Sequence, residues 1–176
     1  PVKALIDPYN PTGSTQYVSF KTSRRERWET DERGCHINWV ILDSESEEAF
    51  CRVAESHPRV KAYVKNHNLG FEVPYRYGPE IRKYSPDFIF LIDDDRGDND
   101  LLHLVVEIKG YSGEDLKEKK SAMETYWVPG VNNKGDYGRW SFAEFAELYQ
   151  IESDFASKVE SEFNKMVDSV IVEPKK

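Results

Sequence analysis

The run Leu101–Lys109, LLHLVVEIK, places an acid and a base two residues apart. Side chains along a strand alternate with period two, so Leu102, Leu104, Val106 and Ile108 form one apolar surface. Leu101, His103, Val105, Glu107 and Lys109 point the other way. Glu107 and Lys109 therefore sit side by side just before Gly110, where the missing side chain leaves room for something to approach. E-x-K alone is common, and its ordinary reading is an exposed edge ending in a Glu–Lys pair. The preceding run, SPDFIFLI, changes that reading. Asp87 follows Pro86 and heads five consecutive apolar residues, the composition of a central strand buried on both faces. An unpartnered carboxylate entering such a strand costs on the order of several kcal/mol. Proline before the strand is tolerated, since the first residue need not donate to the ladder. If the two runs pair as an antiparallel hairpin around residues 93–100, Asp87 lies opposite about residue 106, within one position of Glu107.

Two carboxylates and an ammonium gathered in this way suit phosphodiester hydrolysis. Carboxylate oxygens hold Mg²⁺ through one or two protein ligands and leave positions for water and a substrate phosphate. A nearby lysine can orient that water or offset phosphate charge. Other chemistries lack their signatures: there is no GxxxxGK[ST] phosphate loop, GxSxG elbow or HExxH pair. His103 shares the face of Glu107 four residues back, where a packed ring or a supporting contact is expected rather than a ligand, and His36, His57 and His67 show no metal-ligand spacing. Cys35 and Cys51 lie in no CxxC and are too few for a disulfide framework.

The elements that must position these residues can be read along the chain. An extended N-terminal segment leads to an expected strand at Tyr17–Lys21 and a polar connection over 24–34. Cys35–Leu42, CHINWVIL, has a strand's composition. A helix then starts at Ser44, which can cap it, with Glu47 completing a capping box, Phe50, Val53 and Ala54 as its buried stripe, and Pro58 ending it. Strands are expected around Phe71–Tyr77, Ser85–Ile92 and Leu101–Lys109, the last two joined by the acidic DDDRGDND, read as a solvated turn. A helix from about Glu114 to Trp127 follows, then a break at Pro129-Gly130, a Gly/Asn-rich loop and an aromatic strand near Trp140–Phe145. In a final helix Phe155, Val159, Phe163, Met166 and Val170 make one apolar face. This mixture predicts an α/β fold, a central mixed β-sheet flanked by helices.

The chain of 176 residues is 39% hydrophobic, 32% charged and 13% aromatic, which fits one globular domain and argues against disorder. No segment approaches the ~20 apolar residues of a membrane span and no basic-then-apolar leader precedes the chain, so no membrane partner and a cytoplasmic setting are expected. The formal net charge is −8, an objection to nucleic-acid binding, whose affinity comes mainly from Lys/Arg contacts to phosphates. Residues 59–83 oppose it locally, with six basic residues against Glu72 and Glu80. Lys61, Lys65, Arg82 and Lys117 are the expected DNA contacts.

Asp87 after Pro86, then E-I-K at 107–109 after an apolar run, resembles the PD-(D/E)xK nuclease core. The longer strings VKAYVKNHNLGFEVPY, YSPDFIFLIDDD, LLHLVVEIKGYSGED and METYWVPGVNNKGDYGRWSFAEF resemble the C-terminal endonuclease region of type III restriction enzyme Res subunits and similar helicase-linked nucleases. The resemblance covers most of the chain from about residue 8 and implies a restriction-endonuclease-like core. It implies Mg²⁺-dependent cleavage of double-stranded DNA, with Mn²⁺ able to substitute. Asp87, Glu107 and Lys109 would be the triad, with Asp87, Glu107 and Ile108 at the metal. Glu47 matches a glutamate on the family's first core helix, which stands beside its reading as half of a capping box. Lys119 or Lys120, bordering the inner face set by Leu116, Met123 and Trp127, would supply the family's helix lysine, beside the reading of KEKK as a solvated face. The chain opens at Pro1, and the expectation is a single endonuclease domain over 1–176 from a longer helicase–nuclease chain: a lead-in at 1–34, a catalytic core at 35–150 and a C-terminal helix and tail at 151–176. ATP would act only through an upstream motor domain, and a methyltransferase (Mod-type) subunit is an expected partner. A rival reading is a non-catalytic docking module of a helicase that keeps the fold; the intact triad argues against it.

Overall fold

The computed structural model describes residues 12–108, 113–145 and 151–172. Its central sheet has four strands in the order β3 (Val60–Lys65), β6 (Phe88–Ile92), β7 (Leu102–Ile108) and β8 (Arg139–Phe145). β3 and β7 both run antiparallel to β6, while β8 runs parallel to β7. The sheet is therefore mixed, and the expected α/β architecture with flanking helices is borne out. Two small antiparallel pairs lie outside it: β1 (Arg27–Glu29) with β2 (Trp39–Ile41), and β4 (Val73–Tyr77) with β5 (Glu80–Tyr84).

One face of the sheet packs on α1 (Glu45–Ser56) and α4 (Ile151–Val172). Phe88, Phe90 and Ile92 from β6 and Leu102, Leu104 and Val106 from β7 meet Phe50, Phe145, Phe155 and Val159 there. The rings of Phe50 and Phe145 are 4.9 Å apart edge to face, a favourable aromatic geometry. The other face is covered in part by the β4–β5 hairpin and a long helical segment, with Val105 and Phe142 against Val73, Tyr75, Tyr84 and Met123. Ile89 and Leu91 on that face stay half-buried, so β6 is sealed on one side only, less than its apolar run led us to expect.

Other expectations also need correction. Residues 18–21 form no strand; a 3₁₀ turn occupies Thr15–Tyr17, and Tyr17 is exposed. Cys35–Leu42 is strand only at Trp39–Ile41, because Gly34 and Cys35 both donate back to the Asp31 carbonyl in a turn. The helix after β7 does not stop at Pro129-Gly130. It runs as α2 (Leu116–Ser121), a π segment (Ala122–Trp127) and α3 (Val128–Lys134), ending at Gly135 with φ 80°. The wider π turn, in which the Val128 amide bonds the Met123 carbonyl, directly precedes the proline, whose ring nitrogen cannot donate. Nor is the acidic turn wholly solvated: Asp94 is 2% exposed, held in the fork of Arg139, both of whose terminal nitrogens donate at 2.7 Å. On α4, Phe155 and Val159 are buried and Phe163 and Met166 half-buried, while the Val170 side chain is outside the described set. Among the described residues no helix is long and apolar enough to cross a membrane.

Candidate active site

The ladder between β6 and β7 pairs Phe88 with Val106, so the next rung outward brings Asp87 level with Glu107. This register is one step from the one expected and puts the two carboxylates closer together. The Ile108 backbone amide donates to Asp87 Oδ2 at 2.7 Å, fixing that carboxylate across the strand ends. Glu107 Oε2 is buried with no hydrogen-bond partner among the described residues.

Both acids resist ionisation. Burial pushes Asp87 up to about 6, against the pull of the Ile108 amide. Glu107 is pushed up to about 8, by burial first and the charge of Asp87 second, with the Lys119 ammonium working the other way. A pair of desolvated acids set level on neighbouring strands is what a cation would relieve. Among the described residues no group of three or more His, Cys, Asp or Glu is gathered to hold a metal. Two carboxylates suffice for Mg²⁺, which keeps several waters, and Ile108 can add only its backbone carbonyl.

Lys109 lies outside the described residues. Lys119 Nζ is 3.1 Å from Asp115 Oδ1 and 5.7 and 5.8 Å from the ring centres of Tyr75 and Tyr84. The Tyr75 hydroxyl donates to the same Asp115, so the β4–β5 hairpin and the start of α2 hold Lys119 in place together. Lys120 turns instead to Glu144 on β8, at 3.1 Å. Glu144 pairs in register with Glu107, and only 9% of its side chain is exposed.

Glu47 is 4% exposed, and its Oε2 accepts from the Asp43 amide at 2.6 Å and from Lys65 Nζ at 2.7 Å. Ser44 caps the helix as expected, accepting from the Glu47 amide, but the glutamate reaches back to Asp43 rather than to Ser44. Its other partner overturns one expected DNA contact. Lys65 is 7% exposed and donates to the Ile41 carbonyl, Asp43 Oδ2 and Glu47 Oε2, each at 2.7 Å, so its ammonium is enclosed and cannot meet a phosphate. Lys61 is exposed and paired with Asp93, Arg82 is exposed and paired with Glu80, and Lys117 lines a groove between the hairpin and α2. Asp87 feels the charges of Glu47, Lys65 and Asp43, so this cluster borders the site electrostatically.

Two residues at the site escaped the sequence reading. Glu144 could have been found by placing β8 parallel to β7, since Trp140, Phe142 and Glu144 share a face. Tyr84 gave no signal: it closes the polar strand EIRKY, yet it is buried, its hydroxyl has no partner among the described residues, and its charged neighbours are Glu107, Asp87 and Glu144. His103 stacks on Trp140 with ring centres 4.4 Å apart, its Nδ1 3.1 Å from the Arg139 carbonyl, a packed ring as expected.

A mixed sheet flanked by helices, with an acid at the head of one central strand level with an acid at the end of its neighbour, is an arrangement compatible with a restriction-endonuclease-like fold. The family model described as Endonuclease domain matches residues 35–128, more than half of the chain, and the chain belongs to that family. The matched region takes in Glu47, Lys65, Tyr84, Asp87, Glu107 and Lys119. No curated protein and no solved structure matches the chain.

Proposed function

We propose that this domain is a Mg²⁺-dependent endonuclease that hydrolyses phosphodiester bonds of double-stranded DNA, as the cleavage module of a type III-like restriction enzyme. The observation that carries the reading is the Asp87–Glu107 rung, where two half-buried acids with raised proton affinity stand level on neighbouring strands. Asp87, Glu107 and the Ile108 carbonyl would hold the metal, with Mn²⁺ as a substitute. When bound, the ion offsets charge on the scissile phosphate and acidifies a water. Asp87 stays in place through the Ile108 amide. Lys109, two residues beyond Glu107 in the sequence, would orient the attacking water or neutralise phosphate charge. Lys119, tethered by Asp115, adds positive charge near Glu107. Lys61, Arg82 and Lys117 supply phosphate contacts too few for tight binding alone. An ATP-driven motor upstream in the same chain and a methyltransferase partner would provide the remaining grip and the sequence recognition.

A plasmid-nicking assay with Mg²⁺, Mn²⁺ or EDTA tests this. Wild type nicks or linearises the plasmid only with metal, and Lys109→Ala does not. Equal cutting by Lys109→Ala, free of contaminating nuclease, overturns the assignment.

A further inference from the structure

We propose that Tyr84 is a positioning residue of the metal centre, acting through one buried water that it shares with Glu107. This rests on the metal-dependent reading above. Among the described residues three buried side-chain polar atoms have no partner, and two of them, the Tyr84 hydroxyl and Glu107 Oε2, lie on one side of the sheet, where Tyr84 packs with Val105, the residue two before Glu107 on the same face of β7. One is a donor and the other an acceptor. Leaving both unsatisfied costs on the order of 1–3 kcal/mol each, so a group complementary to both is strongly favoured. Both atoms are too deeply buried for a DNA phosphate to reach, which limits that group to something the size of water. A water accepts from the tyrosine O–H and donates to the carboxylate, satisfying the two together.

The consequence falls on Glu107. With Oε2 held by that water, rotation of the carboxylate is restrained and its other oxygen is left for the ion. Ligating carboxylates depend on such outer contacts, and losing one typically costs about 10–100-fold in metal affinity. Tyr84 is itself braced: its ring meets Tyr75 edge to face at 6.0 Å, and Tyr75 is tied through Asp115 to Lys119. The β4–β5 hairpin thus transmits its position to the metal centre.

The test compares wild type, Tyr84→Phe and Asp87→Ala by calorimetric titration with Mn²⁺ and by crystallography of the wild type in EDTA. Tyr84→Phe should keep the wild-type circular dichroism spectrum and bind Mn²⁺ about 10–100-fold more weakly, while Asp87→Ala binds none. The wild-type crystal should show a water within hydrogen-bond distance of both Tyr84 Oη and Glu107 Oε2. Unchanged Mn²⁺ affinity in Tyr84→Phe, or a direct Tyr84–Glu107 hydrogen bond with no water between, overturns the proposal and leaves the nuclease reading standing. Should Tyr84→Phe fail to fold, the wild-type crystal decides alone. Undiminished Mn²⁺ binding by Asp87→Ala overturns the metal reading itself, whatever Tyr84 does.

Discussion

Without metal, the Asp87–Glu107 pair should make the domain less stable as pH rises, and Asp87→Asn should remove much of that loss. Both carboxyls have folded-state values above their ordinary ones, 3.8 moved to about 6 and 4.5 to about 8. The folded form therefore holds protons that the unfolded chain releases, and the associated stability is full below about pH 4 and is lost as pH climbs through 6 and 8. A tenfold change in proton affinity is ~1.4 kcal/mol, so the Asp87 displacement alone corresponds to on the order of 3 kcal/mol. The two acids share one repulsion, and their contributions do not simply add. For a domain of this size on the order of 3 kcal/mol is about 6–12 °C in Tm. Asparagine keeps an oxygen to accept from the Ile108 amide and removes the charge. Thermal melts in EDTA at pH 5 and pH 8 should show wild type losing stability across the interval and Asp87→Asn losing less, so that at pH 8 the variant is at least as stable. Mg²⁺ at about a hundred times its Kd should then stabilise wild type by ~2.7 kcal/mol and the variant far less. If Asp87→Asn were instead less stable by about 0.5–2 kcal/mol in EDTA at pH 8, with no Mg²⁺ shift in wild type, Asp87 would be an ordinary structural carboxylate and the reasoning would fail.

Three further outcomes follow from the geometry. Lys65→Met should destabilise the fold by about 3–5 kcal/mol, because Glu47 is left buried without its ion-pair partner, and should not lower DNA affinity; chemical denaturation and a binding isotherm check both. Arg139→Met strands the buried Asp94 carboxylate and should cost a similar ~3–5 kcal/mol by denaturation, whereas Asp94→Asn with Arg139→Met together should recover part of it. The isolated domain should bind duplex DNA weakly, with affinity falling as salt rises, and Lys61→Ala with Lys117→Ala should weaken it without sequence preference, as fluorescence anisotropy over a salt series would show.

The Asp87–Glu107 rung was legible because period-two alternation and a short hairpin leave few registers, and a buried acid narrows them further. The strand β3 was not. VKAYVK carries lysines at its second and last positions and reads as a basic surface, yet Lys65 points inward, since its partners Asp43 and Glu47 come from 22 and 18 residues away and no local pattern announces them. The same cause hid the burial of Asp94, whose Arg139 partner lies 45 residues on. Strand β5 was missed because four of its five residues face solvent, and with it went Tyr84, the one that does not. Helical continuation through Pro129 depends on a π turn that has no sequence signature comparable to a cap or a heptad. Chemistry was readable where strand periodicity and a short hairpin fix the partners, and it faded where charge pairs close between elements that no local pattern links.

The most direct measurement is anomalous diffraction from crystals soaked in Mn²⁺, wild type beside Asp87→Ala. An anomalous peak within about 2.0–2.6 Å of both the Asp87 and the Glu107 carboxylates in wild type, absent from the variant, is the predicted result. A fully occupied Mn²⁺ elsewhere with none at these two acids would contradict a metal-dependent nuclease centre on this rung.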